Sequence, residues 1–257
     1  MRKILTALTL VALLPLGLPA LAACDGRDLS GTLDAPRADA LAARLDGIPY
    51  PRGNHWRATR GDSVLHLVGT IHVDDPRLDA PAARLRPLVE GAAALMLEMT
   101  EADRADLQRS ALDRLVLDGA TLPERLSDPD WQRLAEAVRA RGLPPFMVAR
   151  MQPWYVALLL STPACLDMRE AAKGGLDARL GRMADGAGVP VVTLENAADT
   201  LALFDDMPTE TQMAMLRDAL LPPARAEDLF ETLMAAYLRE AHAEGVALST
   251  ILATPDG

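Results

Sequence analysis

Val64-Leu65-His66-Leu67-Val68-Gly69-Thr70-Ile71-His72-Val73-Asp74-Asp75-Pro76 leads to a helical stretch from Ala82 to Glu90, a stop at Gly91 and an apolar run from Ala92 to Met99. The first part alternates with a period of two, which predicts a strand over 64–70. Trp56, Ala58 and the turn Arg60-Gly61-Asp62 ahead of it predict a hairpin that leads into this buried strand. Asp75-Pro76 and Pro81 bracket the approach to the helix, and Gly91 ends it. The run 92–99, broken only by Glu98, then reads as a central strand. Strand, helix and strand make a βαβ unit, so the two strands are expected to be parallel with a right-handed crossover.

Outward from this unit, residues 103–172 contain no convincing strand and read as a helical insertion. Ser127-Asp128-Pro129-Asp130 is a capping signature ahead of Trp131, Leu134 and Val138, and Gly142 with Pro144-Pro145 closes that helix. Pro153 opens another through Trp154, Leu158 and Leu159. The α/β pattern resumes with a helix over 176–187 and a third parallel-type strand over 190–195. Helices near 197–205, 208–220 and 225–243 follow, and Val246 to Leu252 is compatible with a terminal strand. The fold class expected is α/β: a central mixed, largely parallel sheet flanked by helices, with the helical insertion between its second and third parallel strands.

Arg2 and Lys3 precede an apolar run from Ile4 to Leu21, with small residues Ala20, Ala22 and Ala23 at its end. That order is the secretory one, so residues 1–23 are expected to be a signal peptide and 24–257 a single exported domain, periplasmic or attached to the cell envelope. Pro15, Gly17 and Pro19 interrupt the run and argue against a membrane span. Lys and Arg number 26 against 36 Asp and Glu, a net charge of −10 that becomes −12 once Arg2 and Lys3 are removed. So acidic a surface repels phosphate backbones and argues against a nucleic-acid partner. The two cysteines, Cys24 and Cys165, have two readings. An even pair in an oxidising compartment reads as a disulfide. Leu21-Ala22-Ala23-Cys24 also resembles the lipoprotein box, in which Cys24 carries a lipid anchor, the single route to a membrane here.

Three residues stand at the carboxyl ends of the predicted parallel strands: His72 after the first, Glu98 after the second and Glu195 after the third. Open α/β sheets place ligands at that rim. Gly69 lets the chain turn sharply so that the imidazole faces the crevice. Each residue also has a bland reading, as a helix cap, a solvated rim group or a structural histidine. His66 reads as a packed or hydrogen-bonded strand residue, His55 as exposed, and His242, in Arg239-Glu240-Ala241-His242, as solvated on the polar face of a helix. Asp74, Asp75 and Arg77 follow His72 in a loop and are turn formers or ligand contacts. Asp177 stands at a helix start, where the helix dipole favours a carboxylate. The methionines from Met207 to Met215 read as core and groove surface.

Trp56-Arg57-Ala58-Thr59, Leu67 to Pro76, Leu97-Glu98, Gly175-Leu176-Asp177 and Leu194-Glu195 together resemble the TraB/GumN family over roughly residues 50–240. That family is related to the Tiki metalloproteases and, more distantly, to erythromycin esterase-like and ChaN-like proteins. The resemblance implies a metal-dependent hydrolase, peptidase-like, that uses two Gly-x-x-His elements and a glutamate around a divalent ion such as Mn²⁺, Co²⁺ or Zn²⁺. His72 matches the first histidine and Glu98 the glutamate. Both are catalytic candidates, and His72, Glu98 and Glu195 are the metal-ligand candidates. Gly69, Thr70, Asp75, Arg77 and Asp177 are the substrate-binding candidates, for a peptide or small polar molecule. The second Gly-x-x-His of the pattern is missing before Gly257, from which either a truncated sequence or a lost half-site is expected. That departure keeps a second reading open: a non-catalytic periplasmic protein that binds a peptide or small ligand on the same fold. A surface-polysaccharide accessory role rests on the family name alone, and no tyrosine arrangement supports haem binding.

Overall fold

In the computed structural model, which describes residues 24–110, 114–166 and 174–253, the hairpin forms as the alternation predicts. Strands β1 (His55–Arg60) and β2 (Ser63–Val68) pair antiparallel, with His55 opposite Val68 and Arg60 opposite Ser63. Gly61, at φ +58°, supplies the left-handed turn residue between them. The chain had already laid down α1 (Ala35–Leu45), capped by the Asp34 carboxylate on the Arg37 N–H. After β2 come a short 3₁₀ turn (Pro76–Leu78), α2 (Asp79–Glu90) and β3 (Leu95–Leu97). Gly91 ends α2 as expected, its N–H returning to the Pro87 carbonyl.

The helical segment that follows has α3 (Glu101–Ser110), α4 (Leu122–Arg125), α5 (Asp128–Arg139), α6 (Pro145–Val148) and α7 (Pro153–Ser161). Ser127 caps α5 through the Asp130 N–H, and Gly142 turns out of it at φ +72°. Next come α8 (Leu176–Ala187), β4 (Val191–Thr193), α9 (Ala197–Asp205), α10 (Thr209–Asp218), α11 (Pro223–Leu238) and α12 (His242–Ala253).

Mixed α/β character is present, but the described strands form two separate two-stranded sheets, β1-β2 and β3-β4, where a single central sheet was expected. β3 and β4 are parallel, with Leu95 opposite Val191 and Leu97 opposite Thr193. β2 makes no ladder with β3, so the expected β2-α2-β3 parallel pair and its crossover are corrected. β3 and β4 are three residues long each. The apolar side of β2 is also reversed from the expectation of a buried strand: Leu65 and Leu67 are 51% and 52% exposed, whereas Val68 packs inward.

Among the described residues, inward-facing side chains build two cores. In the first, Leu78, Ala82, Leu85 and Val89 of the α2 region interlock with Leu176, Leu180 and Ala184 of α8, and Val68, Leu95 and Val191 close them from the two sheets. In the second, Leu122, Leu134, Val138, Val148, Val156 and Leu160 from the helical segment enclose Met213 and Leu216 of α10. Met213 thereby fulfils the core reading of the 207–215 methionines. Trp154 is buried beside Phe204, rings stacked at 5.1 Å, and its indole N–H donates to Asp205 at 3.2 Å.

The end of the chain also departs from expectation. The helix expected over 225–243 stops at Leu238, because Glu240 takes a left-handed φ of +56°. Val246 to Leu252 belongs to helix α12, with Ala247, Leu248, Ile251 and Leu252 buried. Gly245 keeps the backbone close to α11, where a Cβ would meet that of Ala236 at 3.4 Å. His242 is therefore not solvated: its ring meets Trp56 edge-on at 5.0 Å, and its Nδ1 is buried without a partner among the described residues. His55 is likewise half-buried, with its Nε2 2.7 Å from Nδ1 of His66, so His66 is the hydrogen-bonded strand residue expected.

Cys24 and Cys165 form a disulfide, so of the two readings of Cys24 the disulfide is the one realised. The segment after Cys24 lies along α11. The Arg27 and Leu29 N–H groups donate to Asp228 and Thr232 at 2.8 and 2.9 Å, and Gly26 passes so close that a Cβ would stand 2.2 Å from the Glu227 carbonyl oxygen. The expected signal peptide, residues 1–23, lies outside the described residues, as do 111–113 and 167–173 of the helical segment. No helix among the described residues is long and apolar enough to cross a membrane.

Candidate functional site

The loop leaving β2 is clamped from three directions. Its Gly69 N–H donates to the Asn54 carbonyl at 2.9 Å, and the Tyr237 hydroxyl donates to the Gly69 carbonyl at 2.9 Å. The third clamp is Gly175, which lies against the loop so tightly that a Cβ there would be 1.7 Å from the Ile71 carbonyl oxygen and 2.8 Å from that of Val73. The Leu176 N–H donates to the same Ile71 oxygen at 2.9 Å. Gly175-Leu176-Asp177 thus fixes the start of α8 against the loop carrying His72.

This contact brings Asp177 and His72 together across 105 residues of sequence. His72 Nδ1 stands 2.8 Å from Asp177 Oδ2, while the Thr70 hydroxyl donates to Asp177 Oδ1 at 2.8 Å. With Nδ1 held, Nε2 is directed the other way, to within 3.3 Å of Glu98 Oε2. Asp177 is 8% exposed, whereas His72 and Glu98 present exposed side chains, so the arrangement is a buried carboxylate supporting an accessible imidazole.

The electrostatics follow this layout. The hydrogen bond to Asp177, reinforced by the charges of Asp177 and Glu98, raises the His72 pKa above its usual 6.5 against the opposing effects of burial and Arg104. Burial pushes the Asp177 carboxyl upward, yet the hydrogen bonds from His72 and Thr70 outweigh it and hold its pKa below 3.8. The stabilisation from a raised histidine pKa is fully present below 6.5 and lost as pH rises through the folded-state value; that from a depressed aspartate is present above 3.8 and lost as pH falls through its folded value. The ion pair therefore contributes most between 3.8 and 6.5. Imidazole titration by NMR is expected to place His72 above 6.5, and Asp177→Asn is expected to lower it. Equal values in the two proteins contradict the contact. Burial also pushes the Tyr237 phenol up to about 12, so it stays a hydrogen-bond donor to the loop at every physiological pH.

Of the candidates named from sequence, His72, Glu98, Asp177 and Thr70 are brought together, and Gly69 shapes their loop. Glu195 leaves β4 on the same rim as Glu98, but its carboxylate accepts from the Thr200 hydroxyl at 3.2 Å and has no ion pair with His72. Asp75 and Arg77 pair with each other at 2.7 Å, and Arg77 reaches Glu231 of α11 at 2.6 Å. This network draws the Asp75 pKa down and anchors the loop to α11. Asp74 is engaged by Arg179 at 2.6 Å. The contributions of Tyr237 and Asn54 carry no signal in the sequence. The glycine doublet Gly174-Gly175 ahead of Leu176-Asp177 is the signal by which the close approach was detectable.

A groove of about 840 Å³ lies between α2 and α8, lined by Asp79, Arg86, Arg179 and Arg182 among others. None of His72, Glu98 or Asp177 lines it. Arg179 is already paired with Asp74 and Asp79, and Arg86 with Glu90. The groove is thus separate from the His72 rim.

Donors about 2.1 Å from one ion and at roughly right angles or wider stand about 3 Å or more apart, a spacing that His72 Nε2 and Glu98 Oε2 meet at 3.3 Å. The second ring nitrogen bound to a buried carboxylate is the usual support of a metal-binding imidazole. Two donors fit in this way; among the described residues no group of three histidine, cysteine or acidic side chains does.

Comparison with known proteins covers most of this architecture. A family model described as the TraB/PrgY/gumN family matches residues 54–250. YbaP of Escherichia coli (strain K12) is 28% identical over 176 residues, which is 66% of this chain and 64% of that protein. YbaP of Shigella flexneri is 27% identical over a stretch of the same length and coverage. The matched stretch is thus less than two thirds of these relatives' own length. No solved structure matches the chain.

Proposed function

The chain belongs to the TraB/PrgY/gumN family, and from that premise we propose that it is an exported metal-dependent hydrolase acting on peptides or similarly small polar substrates. The observation that carries the reading is the line Asp177–His72–Glu98, in which one ring nitrogen is held at 2.8 Å and the other faces a carboxylate at 3.3 Å. His72 Nε2 and Glu98 Oε2 are the two donors for a first-row divalent ion such as Mn²⁺, Co²⁺ or Zn²⁺, which imidazole and carboxylate together suit. Such an ion, when bound, supplies Lewis acidity and lowers the pKa of a water molecule.

The protein's own part is positional and electrostatic. Asp177 fixes the His72 tautomer with the proton on Nδ1, leaving the Nε2 lone pair for coordination. Thr70 holds the second Asp177 oxygen and prevents the carboxylate from rotating away. In this reading Glu98 also serves as the general base that accepts a proton from an attacking water. Protonation of His72 competes with metal, so affinity is expected to fall as pH drops through the raised His72 pKa.

Calorimetric titration with Mn²⁺ tests the reading. His72→Ala and Glu98→Gln are expected to abolish binding, and Asp177→Asn to weaken it by about 10–100-fold, the usual effect of losing such a support. Unchanged Mn²⁺ binding in His72→Ala rejects the proposal. Glu195→Gln is expected to have little effect, because Glu195 is turned to Thr200.

The runner-up is a non-catalytic peptide or small-ligand binding protein on the same site. It is favoured by one observation, that Glu195 does not join His72 and Glu98 as a third donor. Metal binding without peptide hydrolysis in the Mn²⁺-loaded protein selects it. Export, to the periplasm or cell envelope, is supported by the Cys24–Cys165 disulfide, which belongs to oxidising compartments. The Arg2-Lys3 and apolar sequence ahead of Cys24 supports it as well.

A further inference from the structure

Helix α3 starts immediately beyond Glu98. Thr100 and Asp103 lock its first turn, the Thr100 N–H donating to the Asp103 carboxylate at 3.0 Å and the Asp103 N–H to the Thr100 hydroxyl at 3.2 Å. One turn in, Arg104 extends from this helix to the loop that delivers Asp177. Its guanidinium lies on Gly174, where a Cβ would be 2.5 Å from Nη1 and 3.3 Å from Cζ. Gly174, at φ +77°, is bare at the point where the guanidinium rests. The next residue, Gly175, packs on the Ile71 and Val73 carbonyls of the loop that carries His72, so the guanidinium stands beside that site. Among the described residues no carboxylate pairs with Arg104, although the chain carries 36 acidic side chains. Asp103, its neighbour, is occupied by Thr100.

We propose that Arg104 is the anion-recognition residue of the His72 site and that it takes a carboxylate, as at the C-terminus of a short peptide. The inference rests on the hydrolase reading and specifies its substrate class. A guanidinium presents paired N–H donors that match a carboxylate. Glu98 and Asp177 stand across the rim in a chain of net charge −10, so a monoanion meets less repulsion there than a phosphate dianion. Arg104 is thus a specificity-determining residue, while His72 and Glu98 face the reacting group.

The test uses the full chain, with glycylglycine, its C-terminal amide and inorganic phosphate as probes, followed through the His72 imidazole resonances. Glycylglycine is expected to bind at least about tenfold more tightly than the amide, the ratio that one charge-assisted hydrogen bond supplies, and more tightly than phosphate. Arg104→Gln is expected to abolish that preference and Arg104→Lys to retain part of it. The urea midpoint of Arg104→Gln is expected to match that of the wild type, which shows that the variant is folded. Equal binding of peptide and amide, no binding of either, a stronger response to phosphate, or a preference that survives in Arg104→Gln each overturns the proposal. Mn²⁺ titration of the same samples separates the two claims: metal binding that needs His72 while no carboxylate preference exists removes Arg104 alone. Loss of metal binding with an intact carboxylate preference removes the hydrolase reading instead.

Discussion

Gly175→Ala is expected to destabilise the protein by about 3 kcal/mol, the upper end of what overpacking costs, and to weaken Mn²⁺ binding at the same time. The added methyl has nowhere to go, because the atom 1.7 Å from its position is the backbone oxygen of Ile71 and the next obstacle is the backbone oxygen of Val73. A flexible side chain swings aside at little cost; a carbonyl moves only with its loop. That loop carries His72, so displacement also breaks the Leu176 N–H bond to Ile71 and pulls Nδ1 from Asp177. Gly186, in the same helix, is the control. Nothing lies within 4 Å of a Cβ there, and Gly186→Ala is expected to stabilise by about 1 kcal/mol through helix propensity alone. Urea midpoints at constant m-value measure both changes. A Gly175→Ala protein with wild-type stability and wild-type Mn²⁺ affinity contradicts the clamp described here.

The same contact explains how much of the site was legible in the sequence. His72 and Glu98 stand at strand ends because local patterns put them there: alternation before Gly69 and an apolar run before Glu98. Asp177 was equally visible as a helix-start carboxylate. Its pairing with His72 was not, since it depends on two backbones meeting through Gly175, far apart in the chain. Glu195 shows the converse. It ends a strand as expected, yet a hydroxyl one helical turn onward, on Thr200, captures its carboxylate.

The fold divides along the same line. Helices with their own punctuation, such as α5 between Ser127 and Gly142 or α8 ending at the left-handed Gly188, are written locally. Strand pairing is not, because β3 and β4 are three residues each and their partners are chosen by long-range packing. Leu65 and Leu67 alternate like core residues but face outward, and only Val68 of β2 packs against the α2–α8 core. Val246 to Leu252 has the ambiguity of any short apolar run, which packing against α11 resolves as helix.

Loss of the Cys24–Cys165 bond is expected to have the second large effect. The bond closes a loop with a sequence separation of 141, so in the unfolded chain it removes much conformational freedom. Removing a crosslink of this kind costs about 2–4 kcal/mol. The folded side matters too, because Cys24 begins the segment in which Gly26, Arg27 and Leu29 lie along α11, and that helix supplies Tyr237 to the His72 loop. Cys165→Ser is therefore expected to lower the unfolding free energy by that amount and to become insensitive to reductant, while the wild type falls to the same value when reduced. Cys24→Ser and the double variant are expected to match Cys165→Ser, since a crosslink is lost once whichever end is removed. Mass spectrometry of the non-reduced protein supplies an independent check, because the bonded form lacks both thiol hydrogens. A wild type with a free thiol at Cys165 and a modified Cys24, together with a Cys165→Ser variant of unchanged stability, establishes that the N-terminal segment is held by a lipid anchor and not by the disulfide.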